Sequence, residues 1–151
     1  MGYDAEARIC YGISFDDDYE FPWEQYCEDE WWRQVGGFTP TKRCYSEEGR
    51  TLPGITEEDI DLYFEERRAW DKANPMPFEL IRHGSDEYTL YIIAVKGTEI
   101  DTEWGDALKI RPDNMRIPYN GLGKLVDFCE KYGIEFDAEK DVGWWLSAYY
   151  G

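Results

Sequence analysis

The chain contains a single histidine, His83, and few cations: 16 Lys plus Arg stand against 33 Asp plus Glu, a net charge of −17 over 151 residues. With one imidazole, a Ser-His-Asp or Cys-His site has only one place to form, and no G-x-S-x-G elbow accompanies it. His83 falls in an expected hairpin turn beside Asp86 and Glu87, its available orienting acids, where a histidine is ordinarily solvated. The shortage of Lys and Arg removes the surface on which sequence-independent phosphate affinity rests. Direct nucleic-acid binding is therefore the binding role that the composition supports least. No apolar run approaches the roughly 18 residues of a spanning helix. Asp4, Glu6 and Arg8 break any apolar leader, so the sequence predicts a soluble cytoplasmic protein with no membrane anchor. Cysteine is sparse as well: Cys10, Cys27, Cys44 and Cys129 lie 17, 17 and 85 residues apart with no C-x-x-C pair. Neither a zinc site nor a thioredoxin-like centre is expected; the prediction is reduced thiols, with Cys10 and Cys129 buried.

Apolar and aromatic residues are plentiful, at 42% and 17% of the chain, which separates it from a disordered acidic tail. A chain this long buries roughly 68–70% of its unfolded surface, enough for one domain spanning residues 1–151 without a staple. Ala7, Ile9, Tyr11, Ile13 and Phe15 alternate and predict a first strand over 5–15 with one buried face. Pro22 defers any following helix to about Glu24–Val35, and Gly36, Gly37, Pro40, Gly49, Pro53 and Gly54 mark a long loop. Thr56 with Asp59 forms a capping box for a helix over 57–73, whose inner face is Ile60, Tyr63, Phe64, the Arg67 stem and Trp70. Phe78–Ile81 and Tyr88–Val95 flank the turn residues His83–Asp86 as a hairpin, the second arm apolar enough to be covered on both faces. A short strand is expected over 107–111, and a helix over 121–132 with Gly133 as its C′ residue. Trp144–Tyr150 reads as a terminal strand. The order of elements predicts an α+β fold: a mainly antiparallel sheet of about four to five strands with two or three helices on one face.

Candidate chemistry is thin. The carboxylates of Asp16, Asp17, Asp18 and Glu20 are too close in sequence to converge on one ion, and the EF-hand pattern is missing, so no metal is expected. Among 33 acids some pair always meets a glycosidase spacing, which gives that pattern no specificity. Gly121-Leu122-Gly123-Lys124 opens a helix but has the spacing of neither a P-loop nor a dinucleotide fingerprint, so no cofactor is expected. The distinctive stretch runs from Asp16 to Trp32. It carries Asp16, Asp17, Asp18, Glu20, Glu24, Glu28, Asp29 and Glu30 without a base, interleaved with Trp23 and Trp31. Aromatics among carboxylates suit a protein interface, where rings anchor and charge steers the encounter. The partner that fits is a protein with a basic groove, such as one that handles DNA or RNA, whose channel an acidic surface can occupy as a competitor.

Both ends of the chain carry a further pattern. Gly2-Tyr3-Asp4-Ala5-Glu6-Ala7-Arg8-Ile9-Cys10-Tyr11-Gly12-Ile13 with Tyr19-Glu20-Phe21-Pro22-Trp23, and the closing segments 125–134 and 144–151, resemble small acidic proteins encoded by tailed bacteriophages. The resemblance implies a phage accessory protein acting in the bacterial cytoplasm; with no catalytic motif in the chain, the leading expectation is a noncatalytic binding protein that, by analogy with other small acidic phage proteins, inhibits a host defence or nucleic-acid-processing protein of the restriction or CRISPR kind. The alternative from the residues is a small-ligand protein or enzyme, for nucleotides or sugars, with a pocket walled by Trp23, Trp31, Trp32, Trp144 or Trp145.

Overall fold

The computed structural model describes residues 5–85, 87–103 and 105–150. It is an α+β fold in which the chain forms two compact units: residues 1–22 with 77–151, and the contiguous stretch 23–76.

The first unit holds the sheet. Its strands are β1 (Ala5–Ser14), β2 (Phe78–Ser85), β3 (Thr89–Val95), β4 (Ile100–Glu103) and β5 (Val142–Tyr150). They run in the order β3-β2-β5-β1-β4, with β3 also paired to β1. Every pairing is antiparallel except the short parallel contact of Gly84 and Ser85 with Tyr149 and Tyr150. Because β1 meets β5 along its length and β3 at Gly12–Ser14, the pairings β1–β5–β2–β3–β1 close on themselves, and β4 lies beside the first half of β1. One face of this closed sheet carries Cys10 and its register partner Trp145, Ile81 and its partner Ile92, and Ala94, packed as one cluster. Side chains alternate along a strand, so Ile13 and its partner Ile93 point the other way. Both are fully buried, on the face that also carries Phe78, whose ring meets Phe128 at 4.8 Å.

Phe128 belongs to the helix over Gly121–Tyr132, whose buried side is Leu125, Phe128 and Cys129. Gly133 ends that helix at φ 69°, while Ile134 N–H donates to the Cys129 carbonyl at 2.8 Å, a Schellman closure that the left-handed glycine permits. A four-residue helix, Ala138–Asp141, precedes β5 and is capped by Asp137.

The second unit contains α1 (Glu28–Val35) and α2 (Glu57–Ala73); the two helices of the first unit are accordingly α3 (Gly121–Tyr132) and α4 (Ala138–Asp141). The expected capping box is present: Thr56 Oγ1 accepts from Asp59 N–H at 3.2 Å and Asp59 accepts from Thr56 N–H at 3.0 Å. No residue of α2 is fully buried, yet its Tyr63, Phe64 and Trp70 make ring contacts with Phe38 and Tyr45 of the intervening loop.

Three expectations are corrected. Residues 107–111 form no strand and are exposed; Leu108 and Ile110 alternate as a strand would but have no neighbouring strand to pair with. The short fifth strand is Ile100–Glu103 instead. His83 is not a solvated turn residue but part of β2, half-buried, with its register partner Leu90 on β3. β1 does not bury one face only, since Cys10 and Ile13 are both inaccessible, as closure of the sheet requires. Asp86 of the hairpin turn, and Gly2, Tyr3, Asp4 and Gly151 of the terminal resemblance, lie outside the described residues. Among those described, no helix is long and apolar enough to cross a membrane.

Candidate functional site

Of the ten residues expected to meet a partner, Asp16, Asp17, Asp18 and Glu20 fall in the first unit and the other six in the second. The first four are exposed. Asp16 has a distant cation, Lys140 at 3.5 Å, whereas Asp17, Asp18 and Glu20 form no ion pair among the described residues. Beside them Asp16, Asp18, Tyr19, Glu135, Phe136, Asp137 and Asp141 line an acidic hollow of about 440 Å³. Asp137 is already occupied there, accepting from Glu139 and Lys140 N–H.

In the second unit Glu24, Asp29 and Glu30 are exposed and Glu28 is half-buried. Trp23 and Trp31 are not surface anchors: they are 5% and 6% exposed, with ring centroids 5.1 Å apart. An indole hides so much apolar area that folding claims it before a partner can. Glu30 has an internal role, bridging Arg33 at 2.9 Å and Arg67 at 2.6 Å. Arg33 is buried and is also held by both carboxylate oxygens of Asp71, each bond 2.7 Å. Its hydrogen bonds hold the Asp71 carboxyl below the usual carboxylate range.

The second unit also contains a cleft of about 930 Å³. Its walls are Phe38, Tyr45, Tyr63 and Phe64, and its polar groups include Glu30, Arg33, Arg43, Glu47 and Arg67. The rings form a continuous series: Phe38–Tyr63 at 6.0 Å, Tyr63–Tyr45 at 5.3 Å, Tyr63–Phe64 at 5.4 Å. The loop side is fixed by Glu66, which accepts from both the backbone and the hydroxyl of Thr41, and by Lys42 on Asp59 at 2.7 Å. None of the tryptophans considered as pocket walls lines this cleft. Trp32 donates to the Asn74 carbonyl, and Trp145 to the carbonyls of Gly12 and Asp141. Tyr63, Phe64 and Arg67 were legible as a helix face; their loop partners Phe38 and Tyr45 had no periodic signal.

A third feature left no trace in the sequence. On the cluster-bearing face of the closed sheet, Arg8 Nε, His83 Nε2 and Ser147 Oγ are buried without a hydrogen-bond partner among the described residues. Arg8 and Ser147 are register partners, and Gly84, next to His83, pairs with Tyr149, two residues beyond Ser147. Burial lowers the His83 pKa, so the ring is neutral near pH 7. Arg8 spends its terminal nitrogens on Glu6 and Glu99. Among the described residues, no group of three His, Cys, Asp or Glu side chains is placed to hold a metal ion. No protein-family model matches the chain, and no curated protein or solved structure shows significant similarity to it.

Proposed function

We propose that the protein is a noncatalytic binding protein that engages a basic, nucleic-acid-handling protein through its acidic surface, as a phage-encoded inhibitor of host defence would. The observation that carries this reading is the exposed run Asp16, Asp17, Asp18 and Glu20, three of whose carboxylates make no ion pair among the described residues. Unpaired like charges repel one another in the free protein, and a complementary cationic groove relieves that repulsion while accelerating encounter. The resemblance of both chain ends to small tailed-phage proteins supports a bacterial protein as the partner.

The test is a tagged pull-down from bacterial lysate at low salt and at roughly 0.5 M salt, repeated with the Asp16→Asn, Asp17→Asn, Asp18→Asn, Glu20→Gln variant. The reading expects one basic nucleic-acid enzyme in the low-salt wild-type eluate, depleted by salt and by the four neutral substitutions. Equal recovery by the variant would remove the proposed surface.

A further inference from the structure

The geometry points to the cleft of the second unit as a binding site for a neutral oligosaccharide. The argument rests on which charges in the cleft are already matched. Arg33 is satisfied by Asp71 and Glu30, and Arg67 by Glu30. Arg43 forms no ion pair among the described residues; its Nε donates to the Tyr45 carbonyl at 3.2 Å. Glu47 also lines the cleft and offsets that charge in the formal count. The lining holds three guanidinium groups and the carboxylates of Glu30 and Glu47, and Asp71, outside the lining, accepts two hydrogen bonds from Arg33, so the formal charges of these groups cancel. An anionic ligand gains no net cation there, and approaches a chain of net charge −17.

A neutral pyranose ring matches what remains. Its apolar C–H face stacks on an aromatic ring, and Phe38, Tyr45, Tyr63 and Phe64 line the cleft. Its hydroxyls each donate and accept, which suits a lining that holds both guanidinium N–H groups and carboxylate oxygens together with Gln34, Thr39 and Ser46. The planar groups are held before any ligand arrives, by the Arg33–Asp71 and Arg67–Glu30 bonds, so little ordering remains to be done on binding. The volume of about 930 Å³ falls in the range of small-molecule sites and admits two or three sugar rings.

The test is calorimetry on the full chain with maltotriose, cellotriose and N,N′,N″-triacetylchitotriose, alongside adenosine monophosphate and inorganic phosphate, at low salt and at roughly 0.5 M salt. At least one trisaccharide is expected to bind with Kd of about 10 μM to 1 mM, changed less than about twofold by salt. Tyr45→Ala should weaken it roughly threefold to tenfold, and Arg43→Ala less than about twofold. Amide chemical-shift changes on titration, which need no variant, should fall on the lining residues between Tyr26 and Arg67. Binding of phosphate or the nucleotide in preference to all three sugars, no heat with any sugar, or shifts lying elsewhere would overturn the assignment. The acidic surface is tested separately, since neither its substitutions nor its salt dependence touch this cleft.

Discussion

Arg33 and Asp71 meet through two parallel hydrogen bonds of 2.7 Å, the guanidinium buried and the carboxylate partly open to solvent. Bidentate geometry makes this the strongest polar link described in the second unit. Asp71→Ala leaves a buried guanidinium with Glu30 alone, and should cost about 1–3 kcal/mol, read from the urea midpoint. Asp71→Asn, which keeps one acceptor, should cost less. An unchanged midpoint in Asp71→Ala would mean that water replaces the carboxylate at no cost.

The acid dependence of stability has two opposed parts. Asp71 is held below its ordinary pKa by hydrogen bonds from Arg33, Asp59 by those from Lys42, and Glu66 by those from Thr41. These folded-state values lie below the unfolded ones, so their stabilisation is complete above the ordinary carboxylate pKa of about 4 and is lost as pH falls through the lowered values. Glu99 runs the other way: burial raises its pKa, so its contribution is present at low pH and disappears as pH rises through the raised value. Glu99→Gln should therefore raise the urea midpoint at pH 7 and leave it unchanged near pH 3. A decrease at pH 7 would show that the ion pair with Arg8 outweighs burial.

Ser147 is 8% exposed and its hydroxyl has no partner among the described residues. Removing an unsatisfied buried hydroxyl removes a desolvation cost, so Ser147→Ala should be neutral or stabilising by up to about 1 kcal/mol, against the usual destabilising trend of core changes. Destabilisation by more than about 1 kcal/mol would indicate that an ordered water completes the hydroxyl.

Two glycines of the same face make a sharp contrast. A Cβ on Gly12 would lie 2.2 Å from the Ile93 carbonyl oxygen, a backbone atom with no room to retreat, where β1 and β3 cross. Its register partner Gly143 has open space at that position. Gly12→Ala should cost about 3 kcal/mol or abolish soluble expression, while Gly143→Ala should leave the urea midpoint within about 0.5 kcal/mol of wild type. Equal behaviour of the two would contradict the crossing geometry.

Thiol labelling reports on both units. Cys27 is exposed, while Cys10, Cys44 and Cys129 are buried, and burial pushes Cys10 and Cys129 up to about 11. Thiolate is the reactive form, so a short treatment with an aromatic disulfide at pH 8 should modify Cys27 alone, as intact mass and peptide mapping would show. Rapid modification of Cys10 would mean that the closed sheet opens readily.

Much of the fold was legible locally. The helix over 57–73 declares itself through Thr56 and Asp59, and the one over 121–132 through its apolar spacing and Gly133, because caps and periodicity are contained in a few consecutive residues. Residues 107–111 have strand periodicity without a strand, since pairing depends on a neighbour that local sequence does not specify. Ile100–Glu103 shows the converse: a polar four-residue strand is made by the β1 edge it meets. The acidic run was plain, but burial of Trp23 and Trp31 was not, as one aromatic residue serves core or interface equally well. The cleft required Phe38 and Tyr45 to arrive from a loop whose path is set by distant contacts with Glu66 and Asp59.

β1 is the first strand made and pairs along nine residues with β5, the last. During synthesis the edge of the early strand that β5 covers therefore stays bare while about 130 residues are added at roughly 5–20 per second, although β3 and β4 can reach its other edge sooner. The intervening stretch 23–76 has no such wait, being contiguous. The nascent chain is thus a race between orderly closure and capture of an open strand edge by a neighbour, one that slower elongation or crowded polysomes would tilt toward aggregation.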